Sequence, residues 1–218
     1  MLQGPAYRLC TTRLQLECAA PTDASEMHAV VCAERVRLAE HLPWAREEPL
    51  AFDVRLQLLR TMRARFDQSL EYVWTMREGG RFVGMVGLHA SLRAAAPSLE
   101  ARSLGYWLRA DACGRGLATE AVCAVIAAAF EVEDVQQLEI GTAATNTRSA
   151  RLAARLGFVR EVCQVSLADE QAECELHALH KRAAPTELRR TTAVAAFDVL
   201  GRKIFDSALL RRTPLSAH

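Results

Sequence analysis

The chain has 218 residues, half of them hydrophobic and 24 % charged, which fits one globular domain or one domain with an appendage. Its formal net charge is +1, and no stretch reaches the roughly 18 apolar residues that a membrane span needs. Aromatic residues are only 6 %, and the basic residues form neither a groove pattern nor a recognition helix, which argues against a nucleic-acid reader. The seven cysteines (Cys10, Cys18, Cys32, Cys113, Cys123, Cys163 and Cys174) are odd in number, widely spaced and without a CxxC pair. That pattern predicts reduced thiols, no disulfide framework and no metal site. Met1 to Pro5 lacks the basic and apolar blocks of a secretory signal, so a cytoplasmic location is expected. Charge is unevenly spread: residues 181–218 carry eight basic and three acidic side chains, and the other 180 residues carry −4. An acidic body with a basic tail suits an acidic cleft and a docking tail, or ordinary solvated surface.

In chain order, Tyr7 to Ala19 reads as a strand with Leu9, Leu14 and Leu16 interleaved by polar groups. Pro21-Thr22-Asp23 opens a helix, with Asp23 and Glu26 spaced as a capping box. His41-Leu42-Pro43-Trp44 breaks it. A second helix is predicted from Glu48 to Phe66, with Leu50, Val54, Leu58 and Met62 as its apolar stripe. A hairpin follows, with strands Tyr72 to Met76 and Phe82 to His89 around Glu78-Gly79-Gly80. Ala94 to Ser98 is a loose connection, and Leu99 to Arg109 is a long strand. Gly114 to Phe130 shows helical periodicity, Gln137 to Thr142 is a strand, and Asn146 to Leu156 is a helix stopped by Gly157. Phe158 to Leu167 and Cys174 to His180 form a closing hairpin. Past it, Val194, Phe197, Leu200, Ile204 and Ala208 fit an amphipathic helix; the rival is a Phe197-to-Leu200 strand, a Gly201-Arg202 turn and a Lys203-to-Phe205 strand. That segment could pack on its own domain, form a homodimer or dock a partner. The expected fold is α/β (α+β), a mixed and mostly antiparallel sheet flanked by helices, with residues 7–182 as the domain and 183–218 as a C-terminal extension.

One junction carries chemistry. A strand runs into Gly114-Arg115-Gly116 and then into a helix. Two glycines let backbone approach a ligand closely. The first helical turn supplies unpaired N–H groups and the positive end of the helix dipole. Together they make a diphosphate site, with Arg115 as a mobile charge at the rim.

Gly105-Tyr106-Trp107-Leu108, followed by Gly114-Arg115-Gly116-Leu117-Ala118-Thr119-Glu120-Ala121, resembles the GNAT superfamily of N-acetyltransferases. So do Asn146-Thr147-Arg148-Ser149-Ala150 and Arg155-Leu156-Gly157-Phe158. His41-Leu42-Pro43-Trp44 is similar to the branch that acetylates the N-termini of ribosomal proteins. The resemblance spans roughly residues 9 to 181. It departs at Asp111, which stands three residues before Gly114 where the superfamily carries Gln or Arg. An acid there opposes a nearby diphosphate.

The resemblance implies the GNAT fold and acetyl-CoA as co-substrate, with no metal. Cys113, Gly114, Arg115, Gly116, Leu117, Ala118 and Thr119 would hold the pyrophosphate, and a backbone N–H near Leu108 would face the thioester. Asn146 would contact the pantetheine or cap its helix, or both. Ser149, at the family's Asn-x-x-Ser position, would bind the cofactor and protonate the leaving thiolate. Cys113 is either a thiol activated by a helix N-terminus or a small filler. The base is open. Many relatives carry glutamate two residues before the Gly-Tyr-Trp unit, where this chain has Ser103, so Glu100 and His89 are the candidates. His177 and His180, three apart on one strand, point to opposite faces. The acceptor is expected to be a peptide or protein α-amine. The alternatives are a small amine (polyamine, amino acid or aminoglycoside) or a CoA-binding module without turnover.

Overall fold

The computed structural model describes residues 5–93, 100–161, 174–185 and 192–210. The predicted Ala94 to Ser98 connection lies outside them, as does most of the predicted strand from Phe158 to Leu167. The described strands are β1 (Arg8–Cys10), β2 (Leu14–Cys18), β3 (Tyr72–Glu78), β4 (Arg81–Ala90), β5 (Ala101–Leu108), β6 (Gln137–Ala143), β7 (Val159–Glu161), β8 (Cys174–His180), β9 (Ala195–Phe197) and β10 (Lys203–Asp206). They form one sheet in the order β10-β9-β1-β2-β3-β4-β5-β6-β8-β7. All neighbours are antiparallel except β5 and β6, which are parallel. The helices are α1 (Ala24–Ala39), α2 (Phe52–Asp67), α3 (Leu117–Glu131), α4 (Thr147–Arg155) and the short α5 (Ser207–Leu210).

Two cores divide the helices between the faces. On one face α3 and α4 pack with Tyr72, Trp74, Met76, Val86, Leu104 and Leu138. On the other, α1 and α2 pack with Val73, Phe82 and Met85. Alternation along β3 sends Trp74 to one core and Val73 to the other, so both faces are dry. Each fully buried side chain of this size contributes about 1.5–3 kcal/mol. Trp74 Nε1 also donates to the Ala6 carbonyl at 2.8 Å, which satisfies its one polar atom.

The hairpin around Gly79-Gly80 forms as expected. Several predicted details are corrected. The single strand predicted from Tyr7 to Ala19 is a hairpin, β1 and β2. Thr11 Oγ1 accepts from Leu14 N–H at 2.9 Å, and Thr11 N–H donates to the Leu14 carbonyl, so the polar Thr11-Thr12-Arg13 run turns the chain. Asp23 does not cap α1. It ends a 3₁₀ turn, Pro21–Asp23, and its carboxylate reaches back to Ala20 N–H at 2.9 Å and across to Arg77 at 2.8 Å. Glu26 pairs with Arg77 instead of closing a box.

The second helix starts at Phe52, and its fully buried positions are Arg55, Leu59 and Phe66; of the predicted stripe, Leu58 and Met62 pack against the core part-buried, while Val54 is exposed. Arg55 takes an apolar position because its partner Glu48 is fully buried with it. α3 is covered on nearly every side, so its apolar periodicity is only part of a helix enclosed all round. Gly157 ends α4 in the left-handed conformation at φ 84°.

Of the two readings of the C-terminal segment, two strands form, but the first is Ala195–Phe197 rather than Phe197 to Leu200, because Val199 and Leu200 are exposed in the turn. β9 pairs with β1, and Arg8 sits 4.4 Å above the Phe197 ring. Val194 and Ala196 are buried in the core that contains α3. This segment therefore packs on its own domain and extends the sheet.

Candidate active site

The sheet opens between β5 and β6. Their pairing covers only Ala101–Ser103 with Gln137–Glu139, although β5 runs to Leu108 and β6 to Ala143. β5 stays paired to β4 along its whole length. Arg109 N–H donates to Val83 O at 2.8 Å. In an antiparallel pair the direction of the peptide groups alternates. The N–H groups of Tyr106 and Leu108 therefore point away from β4 and into the opening. The Leu108 carbonyl, on the same side, accepts from Arg37 Nη2 of α1 at 2.7 Å. Glu34 holds that arginine and also accepts the Ala110 N–H. The end of β5 is thus clamped by α1, with the Leu108 N–H left facing the gap.

Beyond β5, Gly114 and Gly116 adopt φ of 76° and 80°, a conformation that side-chain-bearing residues rarely take. Gly116 starts α3 without a capping side chain, and the first helical bond is Glu120 N–H to Gly116 O. The amides of Leu117, Ala118 and Thr119 precede that bond and have no acceptor within the helix. Arg115 turns the other way and makes two 2.8 Å bonds to Glu78. Asp111 is also turned away: Arg81 at 2.5 Å and Arg109 at 3.3 Å hold it, and Arg81 first and Arg109 second keep its carboxyl below the usual range. The departure from the superfamily loop is thereby neutralised.

α4 borders the gap from the side of α3. Asn146 caps it, its Oδ1 accepting from Ser149 N–H at 3.2 Å. Ser149 Oγ lies 3.0 Å from the Tyr106 hydroxyl, so one hydrogen bond crosses from α4 to β5. Burial pushes the Tyr106 pKa up, and the bond from Ser149 opposes it in part. Arg148, Arg151 and Arg155 recur at helical spacing on one face of α4. Arg155 donates to Thr119 Oγ1 at 2.6 Å, tying α4 to the start of α3.

These groups line one cleft of about 1050 Å³. Its walls come from both faces of the sheet, with α1 and the loop after it (Arg37, Glu40, His41) on one side and α4 on the other. Of the residues singled out from sequence, Leu108, Cys113, Gly114, Gly116, Leu117, Ala118, Thr119, Asn146 and Ser149 all meet there. Cys113 donates its thiol hydrogen to the Arg109 carbonyl at 3.2 Å. Arg115, His89 and Glu100 do not line the cleft. Arg115 is held by Glu78 on the outside of the loop. Glu100 is exposed just before β5. His89 sits at the end of β4 on the face of α1 and α2. His177 is buried against Thr142 at 3.3 Å while His180 is exposed, so the two do face apart.

Sequence reasoning missed Tyr106, Arg37 and Arg151. Tyr106 carried a signal, because two-residue alternation puts it on the face of Leu104 and Leu108. Arg151 also carried one, lying three residues after Arg148 and four before Arg155.

The chain belongs to the GNAT acetyltransferase family: residues 13–159 match the family described as acetyltransferase (GNAT) domain. It is 26 % identical over 141 residues to YdaF of Bacillus subtilis (strain 168), a proposed ribosomal N-acetyltransferase, covering 65 % of this chain and 75 % of that one. Among solved structures it is similar to RimL, a ribosomal L7/L12 alpha-N-protein acetyltransferase in complex with coenzyme A. There the TM-score is 0.68 at 18 % identity over 78 % of this chain and 94 % of that one. It is also similar to Mycobacterium smegmatis RimJ in complex with CoA-disulfide, with a TM-score of 0.71 at 18 % identity over 84 % and 92 %. Among the described residues no helix is long and apolar enough to cross a membrane.

Proposed function

We propose that this chain transfers the acetyl group of acetyl-CoA to the α-amine of a protein or peptide, in the cytoplasm. The observation that carries the reading is a single cleft uniting unpaired helix N-terminal amides, three arginines and an outward-facing strand amide. The residues fit the donor substrate. The amides of Leu117, Ala118 and Thr119, with Gly114 and Gly116, suit a diphosphate. Arg148, Arg151 and Arg155 add fixed positive charge and bidentate donors for further phosphate. The open edge of β5 gives an extended arm a backbone to pair with. Bound acetyl-CoA supplies an activated acyl group. The Leu108 N–H, held by the clamp on its carbonyl, stabilises negative charge developing on the acyl oxygen. Ser149, linked to Tyr106, is placed to give a proton to the departing sulfur.

The α-amine is favoured for two reasons. RimL is an alpha-N-protein acetyltransferase by name. Ser103 leaves β5 without a carboxylate where many relatives carry one, and an α-amino group needs less help: its pKa is about 8, against about 10.4 for lysine. The test is competition among a basic peptide with a free N-terminus, the same peptide blocked there, and spermidine, read by product mass. Acetylation of the free peptide well ahead of the others is expected. Equal rates on the blocked peptide or spermidine would reject the α-amine assignment, the first in favour of a lysine side chain and the second in favour of a small amine.

A further inference from the structure

Four polar residues stand in one register line across the sheet. His89 on β4 pairs with Ser103 on β5, and Ser103 pairs with Glu139 on β6. Glu71 immediately precedes β3 and is next in line, its Oε1 lying 3.8 Å from His89 Nδ1. Residues opposite one another across strands point to the same face. The line lies on the face of α1 and α2 at Ser103, the last β5 residue that pairs with β6. The gap opens directly beyond it.

The two carboxylates in this line are differently placed. Glu139 is fully buried and accepts from Ser91 Oγ at 2.9 Å, Leu92 N–H at 2.8 Å and Arg93 Nε at 2.8 Å. Its charge is matched by Arg93, which is also paired with Glu161. Glu139 therefore latches the chain after β4. Glu71 bonds Arg65 of α2 at 2.8 Å and faces His89 with its other oxygen.

The imidazole between them rests on a floor made for it. A Cβ on Gly87 would come within 2.8 Å of His89 Nε2, and one on Gly105 within 3.7 Å. Gly87 and Gly105 are themselves a cross-strand pair, so both strands lack a side chain beneath the ring. The Nε2 edge thus lies over the stretch of β5 where the gap begins. The side chain is 42 % exposed, so water reaches it.

Resting on the acetyltransferase reading, we propose that His89, with the Glu71 carboxylate 3.8 Å from its Nδ1, accepts the proton of the acceptor's ammonium group through ordered water. From Gly105 to Leu108 the strand advances roughly 10 Å, which requires a water relay rather than direct contact. The proton passes from the ammonium to water and on to Nε2. The freed nitrogen lone pair attacks the thioester carbon. The N–C bond forms, the C–S bond breaks, the nitrogen gives up its second proton to solvent water, and the thiolate takes the Ser149 hydroxyl proton. Ser149 regains a proton through Tyr106 and solvent, and Nε2 releases its own to bulk water. The Glu71 carboxylate on the Nδ1 side favours the proton there, which leaves Nε2 as the accepting atom. The carboxylate missing at Ser103 is thereby replaced by a ring on the neighbouring strand at the same register.

The test compares wild type, His89→Gln, His89→Asn and Glu71→Gln between pH 6 and 9.5, using a peptide with a free N-terminus. Acetyl-CoA dissociation constants and melting temperatures are measured in parallel. For both His89 variants kcat/KM for the peptide is expected to fall about ten- to a hundredfold at pH 7. That deficit should close towards pH 9.5, where the amine deprotonates unaided, with acetyl-CoA affinity unchanged. Glu71→Gln should show a smaller deficit with the same convergence. A deficit constant across pH, or none, with wild-type transfer intact, would remove His89 from this role. Absence of transfer by the wild type to any amine would remove the acetyltransferase reading and the His89 role together.

Discussion

On the face of α3 and α4, the opening between β5 and β6 is bordered by backbone amides, by arginines at helical spacing and by the Tyr106–Ser149 pair. On the face of α1 and α2, side chains in register across the strands, Glu71, His89, Ser103 and Glu139, lead up to the point where it opens. The first border is built mostly from groups that any sequence possesses once two glycines and a helix start are in place. The second depends on the identity of each side chain. In the proposed reaction the first side binds the anionic donor and the second side faces the acceptor. The sequence resemblance is accordingly dense on the first side and sparse on the second.

Breaking the first border at the Tyr106–Ser149 hydroxyl pair should give the largest effect. Tyr106→Phe with Ser149→Ala removes both hydroxyls of the 3.0 Å contact. Turnover should fall about a hundredfold, with kcat and kcat/KM falling together and acetyl-CoA affinity unchanged within about twofold. The single variants should not add, because they share one bond. A rise only in the KM for acetyl-CoA would assign Ser149 to binding.

The next effect sharpens the claim that backbone conformation builds this side. A Cβ at Gly116 would meet nothing closer than Arg13 Nη2 at 3.5 Å, so space is available. The obstacle is φ at 80°, which a β-branched residue resists and asparagine tolerates. Gly116→Val should weaken acetyl-CoA binding at least about tenfold, roughly 1.4 kcal/mol by calorimetry. Gly116→Asn should weaken it much less. Equal losses would point to side-chain bulk rather than conformation.

The same contrast explains what could be read in advance. The β3–β4 hairpin, α3 and α4 were legible because Gly79-Gly80, Gly114-Arg115-Gly116 and Asn146 with Gly157 mark their ends by local backbone chemistry. α2 was legible as a helix, but its buried face was read only in part because Arg55 occupies a core position. Its neutralising partner Glu48 lies seven residues away, beyond any helical period. The turn at Thr11-Thr12-Arg13 was missed because it lacks glycine and proline and is held by a threonine hydroxyl and by Glu120 of α3. His89 was recognisable as a candidate, but its partners were not. Glu71 and Ser103 become its neighbours only through the register of three strands, which no local pattern encodes.

The smallest expected effect concerns the back of the glycine loop. Glu120, in the first turn of α3, accepts from Thr11 Oγ1 at 2.6 Å, Arg13 N–H at 2.9 Å and Arg13 Nε at 2.7 Å. Arg13 in turn donates to the Arg115 carbonyl at 2.8 Å, so the β1–β2 turn braces the loop from outside the cleft. Burial pushes the Glu120 pKa up, but the bonds from Thr11 and Arg13 outweigh it and hold the carboxyl below its ordinary value. A carboxyl depressed in the folded state binds fewer protons there than in the unfolded chain. Its contribution is therefore complete above about pH 4.3 and is lost as pH falls towards the folded-state value. Glu120→Gln should cost about 1 kcal/mol at pH 7, discounted because Arg13 is itself part-exposed. The gap between wild type and variant, measured by urea unfolding, should narrow steadily from pH 4.5 to pH 3. A gap that stays constant over that range would mean that the glutamate acts through its shape and neutral hydrogen bonds. The brace behind the loop would then be steric, leaving backbone conformation alone to set the donor side of the cleft.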